Sequence, residues 1–182
     1  MTFNEKKATQ CAAYLLRLRG GRMSYLKLVK LLYLADREAL KRWGSPITTD
    51  CYYSMPKGPV VSNIYNLMRE EEDKAYWSSY ITPPLGQFEL ALTALPCPTG
   101  ELSRAEEKLL TDIFAEFGQM TRWQLVDYTH TLPEWKDPQG TSTPIHIEEI
   151  LRAQGRAEEE IAEIMSDLQA EEKTEILLGS VA

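Results

Sequence analysis

The chain has 182 residues, of which 43% are hydrophobic and 26% charged, a composition that fits a globular protein and excludes a disordered one. No apolar stretch reaches the ~18 residues of a membrane span, and the opening MTFNEKKATQ lacks the apolar core of a signal peptide, so we expect a cytoplasmic protein. The net charge is −7 at pH 7, and this acidic balance disfavours a general nucleic-acid binder.

The first two predicted elements are helices. Asn4 is the expected N-cap of the first helix, and Gly20-Gly21 ends it. The second helix begins after Ser24 and ends at Gly44-Ser45-Pro46. Apolar residues cover more than half of its circumference, which predicts a central helix that other helices surround.

The middle of the chain is predicted to contain a third helix and a hairpin. An irregular segment, residues 47–57, precedes Gly58-Pro59, and proline suits the first position of a helix. That third helix is expected to end in the charge run at residues 69–74. Apolar and polar residues then alternate on both sides of a turn at residues 83–86, which predicts a β-hairpin over about residues 76–93.

Four helices are predicted after the hairpin. A capping box from Ser103 to Glu106 starts one, Thr121 caps the next, and a short helix covers residues 145–153. The last helix carries a narrow apolar stripe among many glutamates. Such a stripe packs either on its own domain, which is the commoner case, or in the groove of a partner. Its residues are Ile161, Ile164, Met165 and Leu168.

Together these elements predict a mainly α (α+β) fold. We expect a compact helical domain with a central apolar helix and a small β-hairpin, followed by an acidic amphipathic C-terminal helix. The domain is predicted to span residues 1–154, and the acidic helical extension residues 155–182.

The charge of the chain is unevenly distributed. Residues 1–45 carry ten lysines and arginines against three acidic residues, hence +7. Residues 46–147 carry seven against fourteen, and residues 148–182 carry three against ten, hence −7 for each segment. This asymmetry predicts steering towards a charged partner. Alternatively, the basic front and the acidic tail neutralise each other within one molecule, and the sequence leaves both interpretations open.

The sequence contains no legible catalytic, metal or cofactor site. Cys11, Cys51 and Cys97 are scattered and odd in number, which fits neither a disulfide framework nor paired zinc ligands. A cysteine could pair with His130 or His146 as nucleophile and base, but no spacing selects a pair and no glycine-rich phosphate loop is present. We therefore expect no enzymatic activity, no cofactor, and no catalytic or metal-binding residues.

One stretch of the chain resembles a known family. KLLYLADREAL at residues 30–40, WGSPI at residues 43–47 and YYSMPKGPVVSNIY at residues 52–65 stand in the order found in the Panacea domain. This is the SocA-like antitoxin family, which also occurs among phage-associated proteins. The resemblance extends more loosely to His130, Trp135 and Pro144-Ile145.

The resemblance implies an antitoxin with a compact helical domain and a small β element. Such a chain would bind a cognate protein toxin, encoded by the adjacent gene, and neutralise it, with an oligomeric toxin complex as one arrangement. Two alternatives are an adaptor that delivers the toxin to a protease and a DNA-binding repressor of its own promoter.

Residues 52–59 and Tyr65 form the first cluster of candidate partner-binding residues. Tyrosine and methionine are favoured at protein interfaces, and a helix start at Pro59 would offer free N–H groups to an acidic side chain. Alternatively, Tyr52 and Tyr53 pack beside the central helix and Gly58-Pro59 shapes a turn. The members are Tyr52, Tyr53, Met55, Pro56, Lys57, Gly58, Pro59 and Tyr65.

The central helix carries a second cluster, which consists of Tyr33, Asp36 and Arg37. These residues are either the polar centre of a partner-facing surface or structural, with Asp36 hydrogen-bonded to a tyrosine or a backbone amide. If the last helix docks on the toxin instead of its own domain, the partner-binding residues also include Ile161, Met165 and Leu168.

DNA binding is the main rival function. Basic residues between Lys27 and Arg42 could contact phosphates, as an autorepressor requires. Against this, the helix that carries them is too apolar to lie in a DNA groove, and no helix-turn-helix is legible. We therefore expect neither nucleic acid nor a membrane as a partner.

Overall fold

The computed structural model describes residues 2–69, 75–82 and 88–179. Within these residues it contains eight helices and five short strands. The helices are α1 (Glu5–Leu18), α2 (Tyr25–Trp43), α3 (Ser62–Arg69), α4 (Ala75–Tyr80), α5 (Arg104–Phe117), α6 (Arg122–His130), α7 (Ile147–Ala153) and α8 (Glu158–Gly179). The strands are β1 (Arg22–Ser24), β2 (Tyr52–Met55), β3 (Gly58–Val61), β4 (Glu89–Ala91) and β5 (Thr143–Ile145). The mainly helical fold with a small β component is confirmed.

Helix α2 lies at the centre of the molecule. Thirteen of its nineteen residues are buried, and it contacts α1, α5, α6, α7 and β3. Full burial of one leucine side chain stabilises a fold by roughly 1.5–3 kcal/mol, so the leucines of α2 supply much of the driving force for folding. Gly44 ends the helix at φ 73°, in the left-handed conformation that favours glycine.

A three-stranded antiparallel sheet packs against α2 in the order β3-β2-β5. Pro59 lies opposite Ser54 in one edge strand, and Pro144 lies opposite Tyr53 in the other. Proline has no N–H group, so it is tolerated in edge strands, where one side of the backbone needs no partner. The central strand β2 carries no proline.

Gly58-Pro59 begins a strand, and the predicted helix start at Pro59 is therefore wrong. Residues 52–55 and 58–61 form a hairpin around Pro56 and Lys57, and α3 begins only at Ser62. The segment over residues 47–57, predicted to be irregular, contains strand β2. The signal for a helix start failed because proline also suits an edge strand.

The hairpin predicted over residues 76–93 is wrong in its first half, where residues 75–80 form helix α4. Trp77 and Ile81 are both buried, at 1% and 0% exposure, and their four-residue spacing fits one helix face as well as it fits alternation. Strand β4 pairs with β1, and an isolated bridge joins Ile81 to Leu92. The predicted turn at residues 83–86 and most of the charge run at 69–74 lie outside the described residues.

Helix α8 packs on its own domain. Ile161 and Leu168 are 3% and 5% exposed, and Ile164 and Met165 are partly buried against the core. After Leu168 the described side chains are mostly exposed. The domain boundary at residue 154 stays a prediction. Among the described residues, no helix is both long and apolar enough to cross a membrane.

Candidate functional site

A buried lysine attaches the β2–β3 hairpin to the central helix. Lys30 of α2 has no exposed surface and donates a hydrogen bond to the carbonyl oxygen of Pro59 over 2.7 Å. Burial lowers the pKa of Lys30 to about 7. Gly58 lies beside it at φ 89°, and a Cβ atom there would lie 2.6 Å from Oγ1 of Thr129 and 3.0 Å from Nζ of Lys30. Glycine therefore lets the hairpin approach α2 and α6 this closely.

Asp36 fixes the turn that follows α2. Its fully buried carboxylate accepts hydrogen bonds from the backbone N–H groups of Ile47 and Thr48, at 2.9 and 3.0 Å, and from the hydroxyl group of Tyr52, at 3.1 Å. The Thr48 hydroxyl group also donates to it. Burial raises the pKa of Asp36, and these hydrogen bonds oppose the rise. The structural interpretation of Asp36 thus matches its contacts with a tyrosine and with backbone amides.

Asp50 caps α3 from a distant position in the sequence. Its carboxylate accepts hydrogen bonds from the backbone N–H groups of Asn63, at 2.8 Å, and Ile64, at 2.9 Å. These groups belong to the first turn of α3, where helical partners are missing. Burial raises the pKa of Asp50 to about 6. Together, Asp36 and Asp50 join the end of α2, the hairpin and α3 into one unit.

Tyr33 and Arg37 share a buried partner that the sequence interpretation missed. Glu134, only 4% exposed, accepts hydrogen bonds from the Tyr33 hydroxyl group at 3.0 Å and from Nε of Arg37 at 2.6 Å. A buried carboxylate needs such partners to offset its loss of hydration. These residues hold the loop after α6 on α2. Tyr33 and Asp36 have no exposed surface, so the structure does not present them to a partner.

The loop after α6 also supports the back of the hairpin. Nε1 of Trp135 donates a hydrogen bond to the carbonyl oxygen of Met55 over 3.2 Å, and the backbone N–H of Lys136 donates to Oγ of Ser54 over 3.3 Å. The ring of His130 stacks on Trp135, with the centroids 4.0 Å apart. The hairpin is therefore fixed on both sides, by α2 and by this loop.

A groove of about 220 Å³ opens beside the tip of the hairpin, and we call it the hairpin groove. It is largely apolar, with the exposed Pro56 and Lys57 at its rim and the half-buried Tyr25 and Tyr65 in its wall. A concave apolar surface with a few polar groups suits a side chain of a protein partner. Its lining residues are Tyr25, Leu26, Val29, Lys30, Met55, Pro56, Lys57, Gly58, Val60 and Tyr65.

The predicted site residues separate into accessible and buried groups. Five of them lie together in the hairpin groove, namely Met55, Pro56, Lys57, Gly58 and Tyr65. Tyr53 and Met165 are also accessible but line a different groove, of about 430 Å³, between β2, β5 and the last two helices. Buried side chains belong to Tyr52, Pro59, Ile161 and Leu168, and these residues act as framework in this structure. Gly58 is also buried, and its backbone forms part of the groove wall.

The family of the chain is decided by its central region. A family model described as antitoxin SocA-like, Panacea domain, matches residues 28–136, which is more than half of the chain. The chain belongs to this family. No curated protein and no solved structure matches the chain.

The Panacea match coincides with the framework of the hairpin groove. It begins at Leu28 in α2 and ends at Lys136, whose backbone bonds to strand β2. The side chains that fix the hairpin lie inside it, namely Lys30, Asp36, Asp50, Glu134 and Trp135. The match therefore includes the hairpin and the side chains that fix its position.

Trp123 lies on the surface of the Panacea chain near the hairpin tip and was not among the residues that the sequence singled out. Its side chain is 51% exposed, and Nζ of Lys57 lies 5.7 Å from its ring centroid. The neighbouring Arg122 lies 5.3 Å from the same ring. Hydrophobicity alone does not separate an exposed tryptophan from a buried one, but an adjacent arginine was an available signal.

One cysteine and one histidine of the Panacea chain line the same groove. Cys51 and His146, both exposed, line the 430 Å³ groove beside Tyr53. Partial desolvation within the groove and the nearby Asp50 raise the pKa of the Cys51 thiol, which disfavours the thiolate that a nucleophile requires. Cys11 and Cys97 are buried. Within residues 2–69, 75–82 and 88–179, no group of three or more His, Cys, Asp or Glu side chains is arranged to hold a metal ion.

Proposed function

We propose that this chain is the antitoxin of a toxin–antitoxin pair and neutralises its toxin by direct binding, without catalysis. The observation that carries the proposal is the hairpin groove, an accessible apolar hollow on a framework of buried hydrogen bonds. Membership of an antitoxin family supports a protein partner. A preorganised surface loses little conformational entropy on binding, which favours tight association. Both proteins act in the cytoplasm and are encoded by adjacent genes in this proposal.

The first experiment is co-expression of the chain with the product of the adjacent open reading frame. We expect the adjacent product alone to arrest growth, co-expression to restore growth, and the two purified proteins to elute together on size exclusion. Separate elution with growth still arrested would contradict direct neutralisation.

A variant of the groove tests where the toxin binds. Met55→Glu places a charge in the hairpin groove, so we expect much weaker toxin binding, together with some loss of stability because Met55 also packs partly against the core. Tyr53→Glu is the matched control, because Tyr53 is a half-buried residue of the same strand that lines the other groove. Equal binding by both variants would remove the hairpin groove from the interface.

Two further measurements separate direct binding from the alternatives. An adaptor would shorten the half-life of the toxin through a protease, whereas direct neutralisation leaves the half-life unchanged or longer. A catalytic antitoxin would need reactive side chains. Cys51 and His146 are exposed and share a groove, so the double variant Cys51→Ala, His146→Ala removes a candidate nucleophile and base. We expect it to leave neutralisation intact, because direct binding requires no catalysis.

A further inference from the structure

We infer that the toxin segment bound by this chain combines an apolar anchor with acidic residues, and that it binds across three adjoining features on one face. These are the hairpin groove, a cation–aromatic ladder and a cationic hollow. The inference rests on the proposed function and deepens it by naming the chemistry of the partner.

The cation–aromatic ladder consists of Phe88, Arg122, Trp123 and Lys57. Cζ of Arg122 lies 5.2 Å from the ring centroid of Phe88 and 5.3 Å from that of Trp123, and Nζ of Lys57 lies 5.7 Å from the Trp123 ring. Phe88 and Trp123 are 46% and 51% exposed. An aromatic face attracts a cation without neutralising its charge, so both cations keep donors for an anionic partner.

A cationic hollow of about 440 Å³ adjoins the Phe88 end of the ladder. The charged side chains at its surface are Arg19, Arg22 and Arg122 against a single carboxylate, Glu89, while the buried Lys27 lies beneath them and bonds to backbone carbonyl oxygens. Glu89 pairs with Arg22 at 3.7 Å, but both side chains are more than half exposed, and such a pair contributes little stability. The hollow therefore presents an excess of positive charge to solvent.

The ladder is continuous with the hairpin groove at its other end. Lys57 belongs to both features, since it contacts Trp123 and lines the groove. The groove also contacts the Phe88 end of the ladder, because the groove residue Tyr25 donates its backbone N–H to the carbonyl oxygen of Phe88 over 3.0 Å. A bound segment thus meets apolar side chains first and unneutralised cations next.

Charge complementarity identifies the occupant as an acidic protein segment. Carboxylates of the partner can bond to Arg122 and Lys57 while an apolar side chain enters the groove. A nucleic acid fits less well, because the largely apolar hairpin groove calls for an apolar side chain, which a row of phosphates does not supply. The acidic helix α8 of a second copy is the remaining occupant, and it is distinguished by experiment.

The experiment measures binding of the full chain to the purified product of the adjacent gene by calorimetry at low and high salt. Arg122→Glu and Arg104→Glu are a matched pair, because each arginine is the first residue of a helix behind a capping box. Glutamate is favourable at both positions, so both variants should fold. We expect Arg122→Glu to weaken binding about tenfold and Arg104→Glu to bind like the wild type.

Tryptophan variants test the aromatic part of the ladder. We expect Trp123→Ala to weaken binding on the order of tenfold, whereas Trp43→Ala, at a tryptophan that is 45% exposed at the end of α2, leaves binding unchanged. Wild-type affinity should fall as salt is added, because the contacts are ionic.

The outcomes separate the inference from the proposed function. If the wild-type chain does not bind the adjacent-gene product, both are overturned. If it binds, but Arg122→Glu and Trp123→Ala bind as tightly as their controls, or salt leaves affinity unchanged, the inference alone is overturned. A complex that nuclease abolishes also overturns it. So does a wild-type dimer in light scattering that Arg122→Glu dissociates, which would assign the ladder to a second copy.

Discussion

Lys30 and Gly58 meet at the base of the hairpin groove, and the geometry of each depends on the other. The lysine reaches the carbonyl oxygen of Pro59 because no side chain at residue 58 stands between α2 and the hairpin. A desolvated ammonium group is costly, and its hydrogen bond to this carbonyl oxygen offsets part of that cost. A single glycine therefore controls the position of a surface that we propose to bind the toxin.

Gly58→Ala is expected to lower the free energy of unfolding by more than about 2 kcal/mol. The new Cβ atom would lie 2.6 Å from Oγ1 of Thr129, and alanine would also be strained at φ 89°. Gly140→Ala is the control, because Gly140 has nearly the same φ, 90°, with nothing within 4 Å of an added Cβ. Urea unfolding of both variants measures their losses of unfolding free energy, and the difference between the two losses is the steric cost of the Cβ atom at residue 58. Equal losses at the two positions would show that the hairpin tolerates a side chain at residue 58.

Asp50 makes the stability of the chain depend on pH in an unusual direction. Burial raises its pKa from the ordinary 3.8 to about 6, so between these values the folded state binds more protons than the unfolded state. Its contribution to stability is fully present below pH 3.8 and is lost as the pH rises through about 6.

Asp50→Asn removes this dependence. We therefore expect the variant to be destabilised more at pH 4 than at pH 7, by a difference of up to about 3 kcal/mol. The measurement is urea unfolding of both proteins at the two pH values. A deficit that grows towards pH 7 would show that the hydrogen bonds from Asn63 and Ile64 outweigh burial and lower the pKa instead.

At the scale of elements, periodicity and caps predicted most helices. The capping boxes at Ser103 and Thr121 start α5 and α6, and the apolar circumference of α2 correctly predicted a central helix. The predictions failed at β2, which was expected to be irregular, at β5, where the helix predicted from residue 145 begins only at Ile147, and at β3 and α4. At β3 and α4 the local signals fit two structures. Trp77 and Ile81 are compatible with a strand or a helix, and the choice is made by contacts with distant residues, such as the bond from Trp77 N–H to Glu5.

We expect helix α8 to contribute to stability up to Leu168 and very little beyond it, because its buried side chains end there. A chain ending after Ala157 loses the buried side chains of Ile161 and Leu168, which stabilise the fold by roughly 3–6 kcal/mol together. We expect its melting temperature to fall on the order of 10 °C. A chain ending after Ala170 removes mostly exposed residues and should melt within about 2 °C of the full chain. Equal melting of all three chains would place the stripe outside the home core.

At the scale of the whole molecule, the basic front is partly neutralised by the acidic middle. Lys7 pairs with Glu106 at 2.7 Å, and Arg37 pairs with Glu134 at 2.6 Å. The acidic tail has its own cations, as in the pair of Arg152 with Glu158 at 2.6 Å. The ion pairs among the described residues thus support neutralisation between the basic front and the acidic middle.

The same distribution argues against a self-sufficient DNA binder. Lys27 and Lys30, at 6% and 0% exposure, donate hydrogen bonds to carbonyl oxygens and are not presented to phosphates. In a gel shift with its own promoter at moderate salt, we expect the chain alone to show no specific complex. A specific shift that survives competitor DNA would contradict this and would favour an autorepressor.

The sequence predicted the location of the candidate site better than the buried hydrogen bonds that hold it in place. The candidate residues Met55 to Lys57 do line an accessible groove, although the hairpin that carries them was not predicted. Glu134 and Asp50 could not be assigned, because their partners are distant in the chain. Spacing rules describe neighbours within an element and do not reveal which remote side chains meet.

The prolines at both borders of the small sheet have a consequence for recognition. Pro59 and Pro144 each lack a backbone donor, so an incoming chain gains little by extending the sheet at either border. If the chain binds a toxin as we propose, the affinity must then come from the side chains that surround the groove. Those side chains can change during evolution without disturbing the main-chain hydrogen bonds of the sheet, which lets one fold serve different protein partners.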